Sequence, residues 1–288
     1  MKIYLHVGPH KTGTTSVQQW MLDNARMHMG SYGLYYPEPP EEGPGHALLA
    51  WDSLGMHGRK VDPVLLEKVV EDGVRRGAEK IFLSSEEFCM GLVEGTLENL
   101  AVLNKFGTLE LVVTLTPLAD RTLAEVANLI LYQYHFDLSA LDPNELSSSR
   151  PGLNPDLLQE LLSAIRPTKT HVILGQKSQP NVLFQSLSEI LGVKEPKLSL
   201  HINKRHSDTH IRLLNFLNTE LGVIDLAQKQ RIAGQMEQVL QTEALGELMK
   251  PVSLLDSVRE QLNETWDVQC QQLQVLNLED DFELYPRP

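Results

Sequence analysis

The sequence predicts an α/β fold: a three-layer, mostly parallel sheet with helices on both faces and extra helices at the C-terminal end. Short apolar segments of strand character alternate with segments of helical period along most of the chain. That alternation is how parallel strands are joined through helical crossovers. The first strand runs through a glycine-bearing turn straight into a helix. The length, 288 residues, and an ordinary composition fit one large domain with a small helical appendage.

In residues 2–7, Ile3, Leu5 and Val7 alternate, as in a strand. Gly8-Pro9-His10-Lys11-Thr12-Gly13-Thr14-Thr15-Ser16 follows, and Val17, Trp20 and Met21 then fall at helical spacing. Residues 31–37 read as a turn and a short extended piece. Residues 38–45, rich in Pro, Glu and Gly, are a loop that delivers His46 to a helix at 47–54. A helix at 63–76 turns Val64, Leu65, Val69 and Val74 to one side, and Gly77 stops it. Residues 80–83 are a buried strand, followed at once by Ser84-Ser85-Glu86-Glu87-Phe88. Residues 97–106 read as helical.

Residues 109–115 form the next strand. It leads through Pro117 into a helix with Leu123, Val126, Ala127, Ile130, Leu131 and Tyr134 on its core-facing side. A polar connection spans 137–155, with a helix at 157–165 and a strand at 171–174. Pro180-Asn181 starts a helix that runs through Leu191 and is ended by Gly192. From 211 the chain is helical and more polar. Ile232, Met236, Val239 and Leu240 stripe a long helix at 225–249, a further helix covers 253–274, and 280–288 is a tail. No Gly/Ser-rich linker interrupts this, so residues 1–222 are expected to form the α/β domain and 223–288 a helical extension packed on it.

The net charge of −13 argues against a nucleic-acid partner and against a polyanionic acceptor. No apolar run approaches the ~20 residues that span a bilayer. No secretory signal precedes the first strand, so the expected compartment is the cytoplasm. Two cysteines, Cys89 and Cys270, are too few for a disulfide framework or a zinc cluster and are expected to be free thiols.

The chemistry concentrates after the first strand. The first N–H groups of a helix have no intrahelical partner, and the helix dipole adds positive charge at that end. A glycine turn feeding such a helix is therefore built for phosphate. Gly8 and Gly13 let backbone close round an anion, Lys11 adds a full charge, and Thr12, Thr14, Thr15 and Ser16 add hydroxyls. Gly8 and Gly13 have the spacing of the nucleoside-triphosphate P-loop, but Thr14 stands where that loop has lysine. In a parallel sheet, ligands bind beyond the carboxyl ends of the strands. This loop, Ser84-Ser85-Glu86 and Thr116-Pro117 are thus expected to share one edge. No metal-ligand spacing occurs.

Pro9-His10-Lys11-Thr12-Gly13-Thr14-Thr15-Ser16 resembles the 5′-phosphosulfate loop of the sulfotransferases, whose usual form is Pro-Lys-x-Gly-Thr-Thr. The resemblance implies a P-loop sulfotransferase-like fold that uses 3′-phosphoadenosine 5′-phosphosulfate (PAPS) as co-substrate. It implies transfer of a sulfuryl group to an acceptor hydroxyl of a carbohydrate or small metabolite, without a metal. It assigns Lys11 to the charge on the bridging oxygen as the sulfuryl group leaves. Sulfotransferases take the acceptor proton on His or Glu. Glu86, in a run that resembles the segment after the second strand in bacterial relatives, and His46 are the candidates here. Glu86 or Glu87 could equally cap the next helix, and His46 a helix of its own. His10 either donates to the sulfonate or points outward, and His6 is read as structural.

The family's second signature, which binds the 3′-phosphate, is an Arg ending the third strand with Ser eight residues on. Thr116 and Ala124 occupy those positions here, and only Arg121 matches a further common arginine. Lys204 and Arg205, in a basic loop similar to one that closes over the nucleotide in relatives, are candidates to supply the missing charge. The rivals are a non-catalytic descendant that binds another phosphate ligand or a partner protein, and a P-loop kinase.

Overall fold

Lys2–Val7 (β1) is the strand on which the sheet is centred; it pairs in parallel with strands on both sides. The computed structural model describes residues 1–10, 12–39, 43–90, 95–122, 124, 155–175, 181–196, 231–232, 253–276 and 282–285. Lys11, Lys204, Arg205, the whole apolar stripe from Leu123 to Tyr134, and the greater part of the expected helix at 225–249 lie outside them.

After β1 come α1 (Thr14–Asp23), α2 (Ala25–Tyr32) and the two-residue strand β2 (Leu34–Tyr35). Next are α3 (Ala47–Leu54), α4 (Val64–Arg75) and β3 (Lys80–Ser84). Short 3₁₀ turns cover Glu86–Met90 and Leu97–Lys105, the second in place of the expected α-helix. Then come β4 (Thr108–Leu115), α5 (Pro155–Ile165), β5 (Lys169–Leu174), α6 (Val182–Leu191), α7 (Ser253–Leu276) and β6 (Phe282–Tyr285). The six strands form one sheet in the order β2-β3-β1-β4-β5-β6, and every pairing is parallel. β6 corrects the expectation of a tail at 280–288. The four residues from Phe282 to Tyr285 are too short a run to read as a strand, and β5 supplies the ladder that orders them.

Side-chain period sorts the sheet into two faces. One carries Ile3, Leu5, Val7, Ile81, Leu83, Leu109, Leu111 and Val113, all fully buried. α4 lies against this face, and Gly73 marks the contact: a methyl there would come within 2.7 Å of Ile81 and 2.8 Å of Tyr35. The other face presents Tyr4, Phe82, Val112, Ile173 and Tyr285 to Val17, Trp20 and Met21 of α1 and Leu183, Phe184 and Leu187 of α6. Both faces are therefore covered by helices, in three layers.

The chain divides into two compact units. The first contains residues 1–117, 150–202 and 267–288, and so the whole sheet. The second contains 118–149 and 203–266; in it Leu118, Ala119 and Leu262 are buried together with Trp266 packed beside them. α7 runs through the boundary between Trp266 and Asp267. No described helix is long and apolar enough to cross a membrane.

Candidate functional site

β1 leads away towards β2 on one side of the sheet, whereas β4 leads on to β5 on the other. Connections that part in this way leave a crevice at the carboxyl ends of the neighbouring strands β1 and β4. Gly8 enters this crevice. A methyl on it would lie 2.6 Å from the Thr114 carbonyl oxygen, so only glycine lets the chain turn so close to β4. Beneath it lies Cys89: the Gly8 N–H donates to Sγ at 3.2 Å and the thiol faces the Gly8 carbonyl at 3.0 Å. Burial pushes this thiol up to about 12, so it stays protonated and can hold both backbone groups. The sequence read Cys89 and Cys270 as free thiols, and both are free.

The loop closes on Gly13, in the left-handed conformation at φ 88°. Thr12 Oγ1 donates to the Pro9 carbonyl at 3.0 Å and sits 3.1 Å from Thr14 Oγ1. Thr12 and Thr14 are buried, and Thr15 and Ser16 are half-buried. No side chain caps α1. The Ser16 N–H bonds to the Gly13 carbonyl at 3.1 Å. His10 lies with Nε2 3.3 Å from Glu87 Oε1.

Beneath the loop, the ring of His6 ties three strands together. Nδ1 lies 2.8 Å from Ser84 Oγ of β3, and Nε2 lies 2.7 Å from Thr114 Oγ1 of β4. His6 is wholly buried, and burial drives it down to about 3, so the imidazole is neutral. The Ser85 N–H continues the join by donating to the His6 carbonyl at 3.2 Å. Gln18 of α1 adds a fourth element. Its Nε2 lies 3.3 Å from the Ser84 carbonyl, from Ser84 Oγ and from Glu86 Oε2.

Glu86 therefore sits at the carboxyl end of β3, half-buried, with its carboxylate held by Gln18. Neither Glu86 nor Glu87 caps the following turn, because Ser85 Oγ accepts the Glu87 N–H at 3.1 Å. His46 begins α3 and is buried. The Ser84 N–H donates to its Nδ1 at 3.1 Å, and Nε2 donates to the Pro37 carbonyl at 3.0 Å. Desolvation lowers this ring to about 4. Both nitrogens of a neutral imidazole are thus engaged by backbone, an arrangement that ties His46 to Pro37 and Ser84 and leaves no lone pair for an acceptor.

Thr116 follows β4 with its Oγ1 buried and without a hydrogen-bond partner among the described residues. Arg121 is buried and belongs to the second unit. The parallel registers put the loop, Ser84-Ser85-Glu86 and Thr116 on one edge, as the strand order in the sequence implied. Sequence reasoning missed Gln18 and Cys89. Gln18 neighbours Val17 on the apolar side of α1, a position that invites a core reading, and Cys89 carried no spacing signal.

Comparison of the chain with protein-family models, with curated proteins and with solved structures returns no match.

Proposed function

We propose that this protein is a PAPS-dependent sulfotransferase that moves a sulfuryl group to an acceptor hydroxyl of a carbohydrate or small metabolite. The observation that carries the reading is the loop after β1. It has the residue order of a 5′-phosphosulfate loop, lies at the crevice between β1 and β4, and feeds a helix whose N-terminus no side chain caps. The N–H groups of α1, the hydroxyls of Thr14, Thr15 and Ser16, and Lys11 are the groups that would meet the charge growing on the departing phosphate.

In this reading the acceptor oxygen attacks sulfur, the bond from sulfur to the bridging oxygen breaks, and Glu86 takes the acceptor proton. The products are a sulfate ester and 3′-phosphoadenosine 5′-phosphate. Gln18 orients the Glu86 carboxylate. His46, with both nitrogens on backbone, ties Pro37 to the end of β3. Thr116, whose hydroxyl has no partner among the described residues, offers one donor to the nucleotide, and Arg121, Lys204 and Arg205 are candidates for the 3′-phosphate charge. The absence of an arginine at Thr116 and of a serine at Ala124 favours a second reading, a non-catalytic phosphate binder on the same scaffold.

Calorimetry with 3′-phosphoadenosine 5′-phosphate, with adenosine 5′-phosphate as control, separates the readings from a plain α/β scaffold. Turnover with radiolabelled PAPS then separates enzyme from binder. Lys11→Ala is expected to abolish transfer in a folded protein. Glu86→Gln is expected to slow it by about two to four orders of magnitude. Wild-type turnover in Lys11→Ala removes the assignment.

A further inference from the structure

Glu87 is the feature of this edge that an anion site does not call for. Its side chain is well covered, at 16% exposure, and its Oε1 lies 3.3 Å from Nε2 of His10 in the loop. Burial acts to raise the carboxyl, but its contact with the His10 ring, followed by those with Trp51 and His57, outweighs this and holds it below the usual carboxylate range. Glu87 is therefore a fixed negative charge near neutral pH. An anion entering the loop meets that charge unshielded while His10 is neutral. A protonated His10 cancels it, so the ligand gains from that one proton.

We propose that anion binding in the loop is coupled to uptake of one proton by His10, with Glu87 as the group that makes the proton necessary. Among the described residues, other charged or titratable groups on this side are Glu86 on the same turn, His57 on the turn Met56–Gly58 and the Arg59–Asp52 pair, whose guanidinium lies over the Trp51 ring. His57 is removed as a confounder by His57→Gln. This inference rests on the loop being an anion site and not on which anion it takes.

The test is calorimetric titration from pH 6.5 to 8.5 with two probes, 3′-phosphoadenosine 5′-phosphate and inorganic sulfate, the latter with no proton to gain in that range. Wild-type binding is expected to weaken roughly five- to tenfold over the interval, with proton uptake seen as a dependence of the heat on buffer ionisation. His10→Gln is expected to bind as weakly as wild type at pH 8.5 and to lose the slope. Glu87→Gln is expected to bind more tightly than wild type at pH 8.5 and to flatten the profile, an effect that loss of structure would not produce. A pH-independent wild type, or a slope that survives in His10→Gln, overturns the inference. If sulfate binds with the coupling and the nucleotide binds no better, the inference stands and the PAPS reading falls. If neither probe binds at any pH, both fall.

Discussion

Two buried histidines stand in one row across the sheet, and they are built in opposite ways. His6 on β1 is in register with Val112 on β4, and Val112 with His171 on β5, so a single valine separates them. His6 reaches two hydroxyls, Ser84 and Thr114. His171 stands between two carboxylates, Glu110 at 2.8 Å and Glu283 at 3.2 Å. Lys2 closes the outer side of Glu110 at 2.7 Å, and Lys169 that of Glu283 at 2.6 Å; the Tyr285 hydroxyl donates to Glu283 at 2.7 Å. Burial is alike, at 0% and 3%, so partner chemistry makes the difference. The hydroxyl clamp puts no charge under the loop and fixes three strand ends. The charged chain fastens the edge strand β6, whose short ladder with β5 covers few residues.

The strongest test of this contrast removes each ring. His6→Ala takes the ring from the Thr114 hydroxyl and leaves the Ser84 hydroxyl to Gln18, beside a cavity, and a loss of about 3 kcal/mol in denaturant stability is expected, nearly independent of salt. His171→Ala removes the ring between Glu110 and Glu283 and leaves the two carboxylates facing each other, for an expected loss of about 2 kcal/mol that grows as salt is lowered. Equal salt dependence in the two variants would break the contrast.

Acid sharpens it. His6 and His46 have folded values of about 3 and about 4, below the ~6.5 of an unfolded histidine. A depressed folded value means that the unfolded chain binds the proton first. The stability is thus complete above pH ~6.5 and is lost as pH falls, by up to about 1.4 kcal/mol per pH unit for each group. Glu283 is also depressed, to about 2: burial raises it, but Lys169 and Tyr285 outweigh that. Its contribution is complete above the unfolded carboxylate value and is lost as pH falls through about 2. His6→Gln is therefore expected to flatten the unfolding midpoint between pH 6.5 and 4, and Glu283→Gln to flatten it only below ~4.5. If Glu283→Gln changes the upper window, the two networks are not independent.

The smallest effect belongs to the end of the charged chain. Lys2 is half exposed, so Lys2→Met is expected to cost at most about 0.5 kcal/mol and to disappear in high salt.

Local periodicity and turn chemistry were enough to place most elements of the sheet domain. Ile3, Leu5 and Val7 before Gly8, and Val17, Trp20 and Met21 after Gly13, mark a strand and a helix without reference to distant residues. The order of the strands put the loop, Ser84-Ser85-Glu86 and Thr116 on one edge, because parallel strands all end on the same side. Tertiary structure decided the rest. Phe282-Glu283-Leu284-Tyr285 becomes a strand only because β5 offers a free ladder and Lys169 and His171 hold Glu283. His46 passes from candidate base to backbone anchor because Ser84 and Pro37 arrive at its two nitrogens from elsewhere in the chain. Gln18 meets Glu86, and Cys89 meets Gly8, across 68 and 81 residues. Pairings of that range leave no period in a sequence, since they depend on where the backbone brings each side chain and not on what stands beside it.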